Sequence, residues 1–302
     1  MFQFINTLLI GITSGAIYAL MALAIVLVWR STRVINFAQA GQALASTYFG
    51  YQALQYIDSF WIALIIAMAG GAILAALIEV IFMRILLKHT TSGAIAGVAP
   101  IIATLGLLEI IRTLVTLKWG GADVIVKAPL SNTGFSIGSN TLVFSPMKLA
   151  IIAVVTVLLL VFSVIFQKTS IGLSLRASAF SPELARLAGI RVDRIRTLGW
   201  AFSGATGAVA GLLLLTNGNG SLSPASLEFS LLLISGFIAA VIGGLESLLG
   251  SVVGGVALGI ITAFVLMYIS DSLFFIAPFV VLLLVLFIRP QGVLGKKGGR
   301  RA

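Results

Sequence analysis

Polar side chains able to handle a solute are scarce in this sequence, and the most regular set is a row of amides. Asn36, Gln39 and Gln42 recur at roughly i, i+3, i+6 beside Phe37, in a segment that is otherwise largely apolar. Unpaired polar groups are expensive at membrane depth, so amides retained there are candidates to line one side of a polar path. A second candidate is the run Val241-Ile242-Gly243-Gly244-Leu245-Glu246-Ser247-Leu248-Leu249-Gly250, continued by Gly254 and Gly255. Gly250 and Gly254 have the small-xxx-small spacing of helix packing. A break at 243–250 would instead mark a discontinuous helix lining a cavity, with Gly243, Gly244 and Ser247 on the path. Glu109 and Arg112, at i, i+3 inside an apolar run, read as a structural pair, with a gating role as the alternative.

None of these sets is a catalytic constellation. The chain has no Cys and one His (His89), and it lacks paired intramembrane carboxylates. Nucleophilic and general acid–base chemistry are therefore left without evident groups. Zero Cys also excludes disulfides and thiolate metal sites, and no cofactor is expected. The only Lys followed by Ser or Thr is Lys168-Thr169, without the glycines that a phosphate-binding loop requires. The chain reads as a non-enzyme that does not itself bind ATP through such a loop.

The elements that must position these residues are membrane helices. Of 302 residues 60% are hydrophobic and only 9% charged, where soluble chains carry about 25% charged. Several apolar runs exceed ~20 residues, the length of a bilayer-spanning helix. The 32 glycines suit helices that approach closely over small residues. The fold class is all-α, a polytopic membrane helical bundle with about eight or nine transmembrane segments. Spans are expected at 4–29, 61–83, 94–117, 147–166, 197–215, 229–244, 249–270 and 273–288, while 35–57 either spans or re-enters. The N-terminal segment has no basic leader region and reads as a retained span. A polar loop, 118–146, carries short extended runs around 124–126 and 142–144.

Lys and Arg are distributed asymmetrically about these spans. Arg30, Arg33, Arg84, Lys88, the basic residues of 167–197, Arg289, Lys296, Lys297, Arg300 and Arg301 fall on one side; Lys118, Lys127 and Lys148 fall on the other. The positive-inside rule then places the C-terminus in the cytoplasm and, for nine crossings, the N-terminus outside. If 35–57 re-enters, the N-terminus moves inside and the stretch 167–197 stays cytoplasmic. Spread this way, the net charge of +10 sets membrane orientation and does not indicate a nucleic-acid partner. Residues 1–295 are expected to form one transmembrane domain, with 296–302 a basic cytoplasmic tail.

Within 167–197 lies Ser181-Pro182-Glu183-Leu184-Ala185-Arg186-Leu187-Ala188-Gly189. Ser is a good N-cap, Pro is tolerated at the first helical position, Glu suits the positive helix end and Gly stops the helix. The pattern predicts a two-turn helix in a basic loop, with Leu184, Leu187 and Ala188 forming an apolar face. By charge alone this would be an ordinary positive-inside loop. The spacing Glu183-x-Ala185-x-x-x-Gly189, however, resembles the E-A-A-x-x-x-G core of the cytoplasmic coupling helix in ABC importer permeases, with Leu184 where Ala is usual.

Four blocks extend that resemblance in family order: SGAIYALMALAIVLVWRSTRVINFAQAG, GLSLRASAFSPELARLAGIRVDRIRTLGWAFSGATGAVAGLLL, AAVIGGLESLLGSVVGGVALG and IRPQGVLG. Together they are similar to the branched-chain amino-acid ABC permease family, the LivH-type half. The resemblance implies a permease subunit in a bacterial inner membrane, forming the passage for branched-chain or related hydrophobic amino acids. It implies a second homologous permease, two cytoplasmic ATP-binding subunits, a periplasmic or lipid-anchored substrate-binding protein and surrounding lipid. Glu183, Leu184, Ala185, Arg186, Leu187, Gly189 and Arg191 would then dock on an ATP-binding subunit, Arg186 and Arg191 pairing with its acidic groups. Where family members often carry His-Gly-Glu after Asn-Phe-Ala, this chain has Gln39-Ala40-Gly41-Gln42. That departure leaves permeases of the same family for urea, short amides or other amino acids as alternatives. A stand-alone secondary transporter would want a buried relay of Asp, Glu or His, and only Glu109 lies deep.

Overall fold

A computed structural model describes residues 2–89, 95–137, 140–289 and 291–294. The tail 296–302, with its four basic residues, lies outside the described residues, as does Pro290. The chain forms α1 (Phe2–Thr32), α2 (Gln39–Leu54) and α3 (Phe60–Ile78), which runs through a π-helical turn at Glu79–Met83 into α4 (Arg84–His89). Then come α5 (Ile95–Trp119), strands β1 (Val124–Ile125), β2 (Phe135–Ile137) and β3 (Asn140–Leu142), and α6 (Pro146–Lys168). The second half is α7 (Ser170–Phe180), α8 (Pro182–Leu187), α9 (Val192–Asn217), β4 (Ser221–Leu222), α10 (Glu228–Gly243), α11 (Leu248–Tyr268) and α12 (Ala277–Ile288).

Among the described residues, six helical stretches are long and apolar enough to cross a membrane: α1, Phe60–His89, Gly97–Trp119, α6, α9 and α11. Two shorter apolar helices, α10 and α12, accompany them. The all-α polytopic bundle stands, and the shorter helices account for the remaining expected segments. The amide-bearing segment 35–57 becomes α2, whose 16 residues rise only about 24 Å. That is short of a ~30 Å hydrocarbon core, but with 34–38 and 55–59 the segment still carries the chain from the end of α1, beside Ala179, to the opposite end of the bundle, where Gln52 meets Trp119.

Helices α1 and α9 run through the centre. Leu20, Met21, Ala24 and Val28 of α1 and Trp200, Ala208, Leu212 and Leu213 of α9 are all fully buried. Small residues set how closely α11 approaches α1. A β-carbon on Gly15 would lie 2.7 Å from the Val256 Cα, and one on Gly11 would lie 2.7 Å from the Ile260 Cα. Around this centre, α3, α6 and α12 turn Ile65, Ile73, Leu160 and Leu283 outward, the apolar faces that lipid or a partner chain must cover.

Two expectations about local structure change. The stretch 167–197 is not a loop with one short helix: Thr169 caps a further helix, α7, by accepting a bond from the Gly172 amide at 3.3 Å. Its Leu175 is buried with Phe162, Phe166 and Ile195, packing that no local signal shows. In the 118–146 loop, β1 lies where an extended run was expected, but it pairs antiparallel with the distant β4, Val124 opposite Leu222. The second extended run falls at 140–142, where β3 pairs antiparallel with β2.

Candidate functional site

Helix α8 is built as its residues dictate. The Ser181 hydroxyl accepts the Leu184 amide at 3.3 Å, and Pro182 occupies the first turn. At the other end the Ile190 amide reaches the Ala185 carbonyl at 2.9 Å and the Gly189 amide reaches Arg186 at 3.0 Å. This double closure needs a left-handed residue, and Gly189 supplies it with φ +82°. Ala185 is the buried contact of the helix. Glu183, Arg186, Gly189 and Arg191 are exposed.

The outer surface of this segment is apolar, at the leucines whose spacing predicted it and at one further side chain. Leu184 is 60% exposed, Leu187 84% and Phe180, at the end of α7, 86%. Arg186 lies 3.8 Å from Asp193 with both side chains half exposed. A pair so open contributes little, so the guanidinium stays available. Phe180 was not among the residues expected here, because its position depends on α7.

Behind α8 the segment is anchored to the bundle. Glu79, 1% exposed, is held by Arg84 through two bonds, 2.6 and 3.1 Å. The Thr197 hydroxyl donates to the same carboxylate at 2.7 Å, tying the start of α9 to the end of α3. Arg33, in the left-handed region with φ 58°, donates to Glu246 at 2.7 Å and to the Ala179 carbonyl at 3.3 Å. These contacts join the end of α1, the end of α7 and the α10–α11 turn. They border a cavity of about 460 Å³ lined by Arg30, Arg176, Phe180 and Ser247 among others. The sequence gives no local signal for this meeting, since Arg33 and Glu246 are 213 residues apart.

The residues expected on a path fall in two places. Asn36, Gln39 and Gln42 are fully buried inside the subunit. The Asn36 amide donates to Gln39 at 3.2 Å, and Gln39 exchanges two bonds with Ser203. Among the described residues, the Asn36 side-chain oxygen (Oδ1) and both side-chain amide atoms of Gln42 have no partner. Phe37 is half-buried and meets Phe237 of α10 with ring centroids 6.5 Å apart. Gly243, Gly244 and Ser247 form the turn between α10 and α11. Gly244 ends α10 at φ +98°, and the Ser247 hydroxyl caps α11 by accepting the Gly250 amide at 2.9 Å. A β-carbon on Gly250 or Gly254 would strike the backbone of Gly243 or Ala239, so the small-residue ridge packs α11 on α10.

Of the remaining charges, Arg112 lies 3.3 Å from Glu109 and donates to Ser230 of α10 at 2.6 Å. Glu109 itself is 67% exposed. His89 ends α4, exposed, its Nδ1 2.8 Å from the Ile85 carbonyl oxygen.

The fold is a polytopic membrane helical bundle with a short capped helix, apolar on its outer face, at one end. Residues 7–288 match the family described as "Branched-chain amino acid transport system / permease component". The chain belongs to that family of ABC-transporter permeases. It is 28% identical over 301 residues to the high-affinity branched-chain amino acid transport system permease protein LivH of Escherichia coli K12, covering 97% of this chain and 96% of that one. Similarity to BraD of Pseudomonas aeruginosa is 27% over 302 residues, 98% and 97% of the two chains. A protein of Methanocaldococcus jannaschii called a probable branched-chain amino acid transport permease LivH is 30% identical over 286 residues, 91% and 88% of the two.

Proposed function

We propose that this chain forms the membrane passage of an importer for branched-chain or related hydrophobic amino acids, driven by two cytoplasmic ATP-binding subunits. The observation that carries the reading is the outer face of α7 and α8, where Phe180, Leu184 and Leu187 stand in the open on a helix closed at both ends. Exposed apolar side chains on a rigid, two-turn element suit insertion into a groove on a partner. Glu183, Ala185, Arg186, Gly189 and Arg191 complete the docking segment. Its movement would reach the bundle through the Thr197–Glu79–Arg84 and Arg33–Glu246 contacts.

In this reading the chain is a non-catalytic transport subunit, with 1–295 as its transmembrane domain and 296–302 as a basic tail. It sits in a bacterial inner membrane with its C-terminus in the cytoplasm and its N-terminus outside. It pairs with a second, homologous permease and receives substrate from a periplasmic or lipid-anchored binding protein. Asn36, Phe37, Gln39 and Gln42 flank the passage on one side, and Gly243, Gly244 and Ser247 flank it on the other. The unpartnered amide atoms of Asn36 and Gln42 support this, since such groups are costly in a membrane interior.

The test is purification of the whole transporter with Leu187→Asp or Leu184→Arg in this chain. Both side chains are exposed, so the chain should fold and insert normally, while the ATP-binding subunits should be lost from the complex. Retention of those subunits with unchanged substrate-stimulated ATP hydrolysis would overturn the docking assignment. Normal uptake by Asn36→Leu in an assembled transporter would remove Asn36 from the passage.

A further inference from the structure

At the end of α9 opposite the docking segment lies a second cavity, of about 270 Å³. The 26 residues of α9 put about 39 Å between the two ends, so this cavity opens toward the far side of the bundle. Its walls come from α1, α9, α10, α11 and α12 and are largely apolar, with Phe274, Phe275 and Phe279 on one side. Among the described residues, two polar groups in the lining have no hydrogen-bond or ion-pair partner. The Asn217 side-chain oxygen is buried with no hydrogen bond. Glu228 is half-buried, and among the described residues its carboxylate takes part in none of the ion pairs. The hydroxyls of Tyr18 and Ser235, which interact with each other, face the same space.

A carboxylate and an amide oxygen, both acceptors, in the lining of one mostly apolar cavity call for a small cationic donor with an apolar body. Ligand clefts run from roughly 300 to 1,000 Å³ for drug-sized molecules, so the occupant here is smaller. We infer that this cavity binds a free hydrophobic amino acid, its ammonium on Glu228 and Asn217 and its branched side chain against the phenylalanines. The assignment rests on the amino-acid reading of the substrate given above. An ammonium between two otherwise unpaired acceptors would make charge-assisted hydrogen bonds, stronger than neutral ones.

Because the chain has no Cys, Ser235→Cys gives this subunit a single thiol inside the cavity. Its alkylation is followed by mass of this chain in the purified whole transporter. L-Leucine and isoamylamine, which lacks the carboxylate, should each slow labelling about tenfold, whereas isocaproate, which lacks the ammonium, should not. Adding Glu228→Gln should cut the apparent affinity for both protectors about tenfold, a 1.4 kcal/mol change. Equal protection by isocaproate, or no protection by either ammonium compound, would overturn the site. So would protection seen only in phosphatidylethanolamine nanodiscs and indifferent to leucine, which would make the occupant a lipid headgroup.

Leucine uptake is measured beside this, with Glu228→Gln alone. Protection by isoamylamine in a transporter that does not carry leucine would discard the amino-acid substrate and keep a cation site. Wild-type leucine uptake by Glu228→Gln, with no protection, would discard the site and keep the substrate.

Discussion

The Gln39 amide donates to the Ser203 carbonyl oxygen at 3.1 Å, and the Ser203 hydroxyl returns a bond to Gln39 at 2.8 Å. This reciprocal pair clamps α2 to α9 in a fully buried position. Interhelical hydrogen bonds in membrane bundles are worth roughly 0.6 to 1.7 kcal/mol each. Ser203→Ala should therefore lower stability by about 1 kcal/mol. Gln39→Leu should cost more, because it removes the Asn36 bond as well. The measurement is the thermal unfolding midpoint of the purified transporter, and equal midpoints for the two variants would contradict the arrangement.

Glu79 and Arg84 make the stronger prediction. Breaking a buried ion pair by removing one partner typically costs about 3–5 kcal/mol, because the remaining charge is left unpaired. Arg84→Ala should therefore be severely destabilising. Arg84→Ala combined with Glu79→Gln should recover much of the loss, since Thr197 can still hydrogen-bond the amide. Membrane-inserted yield of the two variants checks this. If the double variant is no better than the single one, the penalty does not come from the stranded carboxylate.

Gly189 offers a second test of the proposed docking segment. At φ +82° a left-handed backbone costs a non-glycine residue about 1–2 kcal/mol, less for Asn. Nothing lies within 4 Å of a β-carbon there, so only conformation is at stake. Gly189→Asn should keep most ATP-driven uptake, while Gly189→Val should reduce it with the subunit still inserted. Similar uptake by the two would show that the closure of α8 is not needed for coupling.

Two glycines that look alike in the sequence should behave differently. At Gly15 a β-carbon would meet the Val256 backbone at 2.7 Å, and overpacking of this kind costs about 1–3 kcal/mol. Gly106 on α5 has open space instead. Gly15→Ala should lower the unfolding midpoint, while Gly106→Ala should leave it unchanged or raise it through better helix propensity. A fall at Gly106 that appears only in the assembled transporter would place that face of α5 against another subunit.

Some of this was settled by the sequence alone. Membrane residence follows from the length of the apolar runs, because a span must be both long and uncharged to lie in hydrocarbon. Helix α8 follows from Ser181, Pro182 and Gly189, because caps act within one turn and need no neighbours. The family was legible for a similar reason: each of its four motif blocks is continuous in the chain. Tertiary structure decided the rest. Asn36, Gln39 and Gln42 are amides at helical spacing in the sequence, yet only the arrival of Ser203 from α9 determines which of their atoms are satisfied. Helix α7 owes its place to Leu175 packing on Phe162 and Ile195, so the stretch around it read as a loop. Arg33 meets Glu246, and Glu228 shares a cavity with Tyr18 and Phe279, only because α1, α10 and α12 pack together. Residues two hundred positions apart leave no trace of one another in local composition, and packing is what brings their charges and rings to one place.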